Sequence, residues 1–216
     1  IFPGTKVEPI IEQLLKIPRR LRAKVQEITL DMANSMKTIA LRCFPQAIQV
    51  TDRFHVQKLA IEALQDIRIK YRWEAIDLEN NQIKEATSKG KRFIAEEFSN
   101  GDSRKLLLAR SRYLLYKSPN NWTDNQKFRA KILFEEYPHI KKAFDLVQGL
   151  RSIFNTSKSM NIAYTKLAHW YKDVELAGFK SFNTIVNTIS VNYKSILNYF
   201  INRSTNASAD REAATK

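Results

Sequence analysis

The chain has 216 residues, 44% of them hydrophobic and 27% charged, with 36 Lys and Arg against 22 Asp and Glu for a formal charge of +14. That length and apolar content suit one domain, or one core carrying a large insertion, and exclude a disordered chain. Five glycines and six prolines are too few for a sandwich or barrel of many short strands. A single cysteine, Cys43, excludes an intramolecular disulfide framework and any multi-cysteine zinc site.

The chain opens on Ile rather than Met, which suggests a piece of a longer protein. Val7, Ile10, Ile11, Leu14 and Leu15 form a helical stripe up to Lys16, closed by Pro18. Residues 25–31, VQEITLD, and 47–52, AIQVTD, read as short strands that each end in an acid. Between them Met36, Ile39, Ala40 and Cys43 repeat at helical spacing before Pro45. Strand, helix, strand with a crossover of this length is a βαβ unit of parallel strands. Asp31 and Asp52 then lie at the carboxyl ends of neighbouring strands, where open α/β sheets place ligands.

From Arg53 onward the pattern is helical. Val56, Leu59, Ala60, Ala63, Leu64, Ile67, Tyr71, Ala75 and Leu78 share one stripe of a single long helix. Further helices are expected over 101–117, 124–136, 138–157, 160–177 and 180–201. Thr123 and Gln126 have the spacing of a capping box, and Gly101, Gly149 and Gly178 are candidate breaks, Gly149 standing inside an otherwise helical pattern that tolerates it. The small, polar stretch 205–216 is expected to fray. The fold class is therefore mainly α (α+β): a small partial βαβ unit followed by a large all-helical part. No apolar run reaches the roughly 18 residues that would span a bilayer, so no membrane partner is expected.

On spacing alone Asp31 reads as an acid satisfying free N–H groups at a helix start. The competing reading is a carboxylate ligand for a hard cation, held on a rigid strand end. Asp52 and His55 form a D-x-x-H on the first turn of the long helix, a weak signal that is also a plain helix cap. His139 and His169 lack zinc-ligand spacing. Cys43 has only Arg42 as an adjacent charge, and no Walker-type, dinucleotide-type or G-x-S-x-G loop is present, so nucleophilic catalysis finds no support.

Basic residues concentrate at Arg68, Lys70 and Arg72, at Arg104, Lys105, Arg110, Arg112 and Lys117, and at Lys127, Arg129 and Lys131. Tyr71, Trp73, Tyr113, Tyr116 and Trp122 interleave with them. Charge runs are usually solvated helix faces. An excess of 14 positive charges nonetheless favours a polyanion partner, since phosphate binding with counterion release requires one.

Residues 25–68, with LDM and TDRFHV, resemble bacterial insertion-sequence transposases of the DDE class, which carry a ribonuclease H-like core; so do 109–138 and 178–209, the latter ending in NRSTNASA. The resemblance implies DNA partners (transposon ends and target), Mg²⁺ or Mn²⁺ as cofactor, homo-oligomers in a synaptic complex, and a bacterial cytoplasmic, nucleoid-associated setting. It makes Asp31 the second acid of the catalytic triad and a metal ligand, reversing the reading from spacing. Asp52 and His55 become active-site-proximal. Residues 1–57 would be a partial ribonuclease H-like core, 58–200 a helical insertion that contacts DNA, and 201–216 the start of the third-acid region. DNA contacts are expected from Arg68, Lys70, Arg72, Arg104, Lys105, Arg110, Arg112, Lys117, Lys127 and Arg129.

Two departures accompany the resemblance. The first triad acid is expected before residue 1, and Asp210 stands where a Glu is expected. Two-metal phosphoryl transfer uses three carboxylates to hold ions about 4 Å apart, so this chain is expected to be catalytically inactive. The alternatives are a non-catalytic helical DNA-binding or regulatory module and a helical dimerisation scaffold.

Overall fold

A computed structural model of the chain describes residues 6–204. Two short helices, α1 (Val7–Leu15) and α2 (Arg19–Arg22), precede strand β1 (Glu27–Leu30), helix α3 (Asn34–Cys43) and strand β2 (Ile48–Thr51). The remainder is helical: α4 (Arg53–Ser88), α5 (Arg104–Arg110), α6 (Arg112–Tyr116), α7 (Asp124–Glu136), α8 (Pro138–Thr156), α9 (Met160–Ala177) and α10 (Lys180–Asn202), with a 3₁₀ turn at Pro119–Asn121. The fold is mainly α with one two-stranded parallel sheet. No described helix is long and apolar enough to cross a membrane.

The chain separates into two compact units, whose boundaries fall inside α4, α8, α9 and α10. The first unit comprises residues up to 58, 151–171 and those from 185 on; the second comprises 59–150 and 172–184.

In the first unit the strands pair in register from Glu27 opposite Ile48 to Leu30 opposite Thr51. The apolar stripe of α1 buries Ile11 against Ile39 and Cys43, with Val7, Ile10, Leu14, Met36 and Phe44 around them. Burial pushes the Cys43 thiol pKa up despite the nearby Arg22 and Arg42 charges, so this cysteine is core rather than nucleophile. The polar stripe of α10 meets the sheet. Ser195 and Thr51 share a hydroxyl hydrogen bond of 2.8 Å, Asn198 donates to the Gln49 carbonyl at 2.9 Å, and Asn202 donates to Glu27 at 2.9 Å. Phe154 stacks on Phe200 at 5.5 Å and meets Tyr199 edge-on at 5.6 Å.

In the second unit Leu64, Leu107, Leu108, Leu114, Leu115, Leu133, Ile140 and Leu150 are buried. Trp122 stacks on Phe144 at 5.4 Å while its indole N–H donates to the Leu114 carbonyl at 2.7 Å. The stripe of α4 is buried at Ala63, Leu64 and Ala75 but emerges into solvent at Leu78. The capping box forms as expected: Gln126 N–H donates to Thr123 Oγ1 and Thr123 N–H to Gln126 Oε1.

One expected helix, 101–117, is two. Ser111 is buried between α5 and α6, and its hydroxyl donates to the Leu107 carbonyl one turn back at 2.6 Å. Such back-bonding competes with the backbone ladder and bends helices. Before α5, Gly101 holds φ +75°, a left-handed turn that a side chain disfavours. That turn points the Asp102 carboxylate into the unit, where it is 0% exposed.

Candidate functional site

The parallel register sets the geometry at the carboxyl ends of the strands. Leu30 pairs with Thr51, and the Asp52 N–H donates to the Leu30 carbonyl at 2.9 Å, so Asp31 and Asp52 each follow directly on the last rung. The two carboxylates make similar bonds in different places: Asp52 caps α4, while Asp31 closes a turn one residue before α3, which has no side-chain cap. Asp31 Oδ1 accepts from the Ala33 N–H at 2.9 Å, an Asx turn leading into α3, and Asp52 Oδ1 from the Phe54 N–H at 2.9 Å, satisfying a free donor in the first turn of α4.

Their surroundings differ. Asp52 is 3% exposed, so it is a buried anchor for the first turn of α4. Asp31 is half-buried, and its second oxygen takes no hydrogen bond from a described residue. His55 follows on the first turn of α4, its N–H on the Asp52 carbonyl at 3.2 Å and its ring edge-on to Phe54 at 5.8 Å. Asp210 lies outside the described residues.

A hard divalent cation needs several carboxylate or carbonyl oxygens. Asp31 fits as one such ligand, because it holds a free oxygen at the end of a paired strand. Among the described residues no group of three or more His, Cys, Asp or Glu side chains converges as a metal cluster would. The described residues thus fit a single ligand.

The basic residues of the second unit sort by their partners. Arg110 and Arg129 both donate to buried Asp102, Arg129 Nε at 2.7 Å. Burial raises the Asp102 pKa, but hydrogen bonds and charge from Arg129 and Arg110 outweigh it and hold the carboxyl below its ordinary range. Arg104 pairs with Glu136 at 3.0 Å and lies over the Phe98 ring, and Lys105 pairs with Glu79 at 2.6 Å. Lys127 reaches Asp124 on the surface, and Lys117 reaches Gln126 at 3.5 Å. Lys70 is exposed.

Arg68 is 5% exposed; its Nε donates to Gln65 at 2.6 Å and its Nη1 to the Leu108 carbonyl at 2.8 Å. Burial, then the charges of Arg72 and Arg112, hold its pKa below the ordinary guanidinium value. Sequence reasoning missed Asp102 as the organising acid. Its only sequence signal is the Asn-Gly-Asp turn at 100–102.

The described residues thus place two strand-end acids on a βαβ unit and a set of basic residues on helices. The sequence profile of a transposase family, the ISL3 type of the DDE class, matches residues 1–210, and the chain belongs to that family. Over 134 residues it is 27% identical to the transposase for insertion sequence element IS1557 of Mycobacterium tuberculosis, in the CDC 1551 / Oshkosh and the H37Rv strains. The match covers 62% of this chain and 30% of the length of those relatives. No solved structure matches the chain significantly.

Proposed function

We propose that this chain serves DNA cleavage and transfer in the transposition of an insertion sequence, acting on transposon ends and target DNA in the bacterial cytoplasm. In this reading residues 1–57 belong to a ribonuclease H-like core, 58–200 are a helical insertion that meets DNA, and 201–216 lead into the third-acid region. The observation that carries it is Asp31: a half-buried carboxylate at the end of a paired parallel strand, one oxygen fixed by the Ala33 N–H, in a chain of a transposase family.

Asp31 is the metal-binding acid, and Asp52 is a positioning residue that fixes the neighbouring strand end and the start of α4. Asp31 would help hold Mg²⁺ or Mn²⁺, which would supply activation of an attacking oxygen and stabilisation of a leaving one. The exposed cations Lys70, Arg112, Lys117 and Lys127 are the DNA contacts, whereas Arg110 and Arg129 hold the fold together through Asp102. Among the described residues one strand-end carboxylate keeps a free oxygen, and one such ligand does not organise two ions. The 216-residue chain on its own therefore binds DNA without cutting it, and self-association in a synaptic complex accompanies the activity.

Two measurements test this. Mn²⁺ titrated into labelled protein should broaden the NMR signals of residues around Asp31 selectively, and Asp31→Ala should abolish that. Uniform broadening would refute the metal-ligand role. Supercoiled plasmid in Mg²⁺ or Mn²⁺ should remain uncut. Robust nicking lost in Asp31→Ala would overturn the proposed inactivity of this chain while strengthening the role of Asp31.

A further inference from the structure

The second unit neutralises its cations selectively. Arg104, Lys105, Arg110 and Arg129 all meet carboxylates. Arg68, Arg72 and Arg112 do not: among the described residues none of the three forms an ion pair. Yet Arg72 and Arg112 both lie close enough to Arg68 for their charges to act on it. Arg68 and Arg72 are four residues apart on one face of α4. Arg68 donates to the Leu108 carbonyl in α5, and Gln65, one turn earlier, donates to the Arg112 carbonyl at 3.3 Å. These bonds hold that face of α4 against the start of α6.

Clustered guanidiniums without a counter-ion repel one another, the more so near a low-dielectric interior. The arrangement also leaves a donor open. Arg72 Nε is enclosed and has no acceptor among the described residues, so this half-buried guanidinium is held with its hydrogen-bonding capacity unmet inside the fold. Guanidiniums favour phosphate oxygens, which accept two N–H groups at once. Beside this cluster the Tyr113 ring is 67% exposed, with the Arg112 guanidinium 5.4 Å from its centroid. A large exposed aromatic beside a phosphate clamp adds nothing for a duplex, whose bases are already stacked on both faces. For an unpaired strand it supplies a stacking platform.

We infer that Arg72 and Arg112, backed by buried Arg68, clamp a phosphodiester of an unpaired DNA strand whose adjacent base stacks on Tyr113. This deepens, and rests on, the DNA-processing reading above. Arg68 is a positioning residue, since its own donors are used within the fold. The clamp is formed by the second unit alone.

The test is fluorescence anisotropy of the full 216-residue chain with labelled single strands at low salt: an oligothymidylate of ~10 nucleotides and an abasic strand of the same length. Arg72→Gln/Arg112→Gln should weaken both by about tenfold or more. Tyr113→Ala should weaken the oligothymidylate by about tenfold and leave the abasic strand unchanged. Thermal melts should show these variants as stable as the parent chain. Undiminished binding by the double variant, or an equal effect of Tyr113→Ala on both strands, overturns the clamp. So does a duplex of the same length that binds as tightly as the single strand with the same sensitivity to Tyr113. Should plasmid DNA bind while these variants change nothing, the clamp falls and the DNA-processing reading stands. Absence of affinity for every nucleic acid at low salt removes both.

Discussion

The strand-end acids of the first unit and the arginines of the second solve opposite electrostatic problems. Asp31 and Asp52 are two acids in equivalent positions, and both are stabilised by backbone N–H groups. Burial and the bond each makes separate them: buried Asp52 caps the first turn of α4, whereas half-buried Asp31 closes a turn ahead of α3 and keeps an oxygen to spare. In the second unit equivalent arginines are separated by their partners: Asp102 takes Arg110 and Arg129, while Arg68, Arg72 and Arg112 are left to one another. A count of basic residues identifies a polyanion-binding class, but it does not separate cations that hold the fold from cations that can meet a ligand.

The largest effect is expected where that sorting is enforced. Asp102→Ala leaves two guanidiniums without their carboxylate, one of them largely buried, and should cost about 3 kcal/mol. Urea unfolding measures this; a loss under about 1 kcal/mol would mean that the node is not what holds the 97–103 segment. The pH dependence follows in sign. The folded carboxyl is held below its ordinary value, so its stabilisation is present above the unfolded carboxyl pKa of about 4 and disappears as pH falls through the folded value. Melting temperature should therefore drop more steeply on acidification in the parent chain than in Asp102→Asn.

A smaller effect separates the two strand-end acids. Asp52→Ala removes a buried cap from the 36-residue helix α4 and should cost about 1–2 kcal/mol. Asp31→Ala removes a similar bond from a half-buried site next to the ten-residue helix α3, and should cost less, about 0.5–1 kcal/mol. Comparable losses would erase the distinction between anchor and ligand on which the proposed role of Asp31 depends.

Much of this was legible in the sequence, because local rules govern it. The βαβ unit, the long α4, the capping box at Thr123 and the breaks at Gly101 and Gly178 all follow from periodicity and turn chemistry, which act over a few residues. The transposase family was legible from the motifs LDM, TDRFHV and NRSTNASA together. What did not show were the pairings across long separations. The contact of Ser195 with Thr51 spans 144 positions, and that of Arg129 with Asp102 spans 27. Asn192, Ser195, Asn198 and Asn202 could have been recognised as a polar stripe on α10, but nothing local states that a sheet lies beneath it. The split at Ser111 was hidden for a different reason. A serine inside a helical pattern looks tolerable until its hydroxyl turns back onto a carbonyl.

The smallest expected effect is also the one that discriminates best between a structural and a ligand-binding arginine. Arg112 is exposed and forms no ion pair among the described residues, and its charge acts against that of buried Arg68. Removing its charge in Arg112→Gln forfeits one cation–π contact of about 0.5 kcal/mol and relieves its repulsion of buried Arg68. The two terms nearly cancel, so stability should stay within about 0.5 kcal/mol of the parent chain. Added salt should stabilise the parent more than the variant, because it screens a repulsion the variant lacks. A loss well above that size in urea unfolding would show that Arg112 is a structural residue like Arg110, and the distinction between the two sets of arginines would fail.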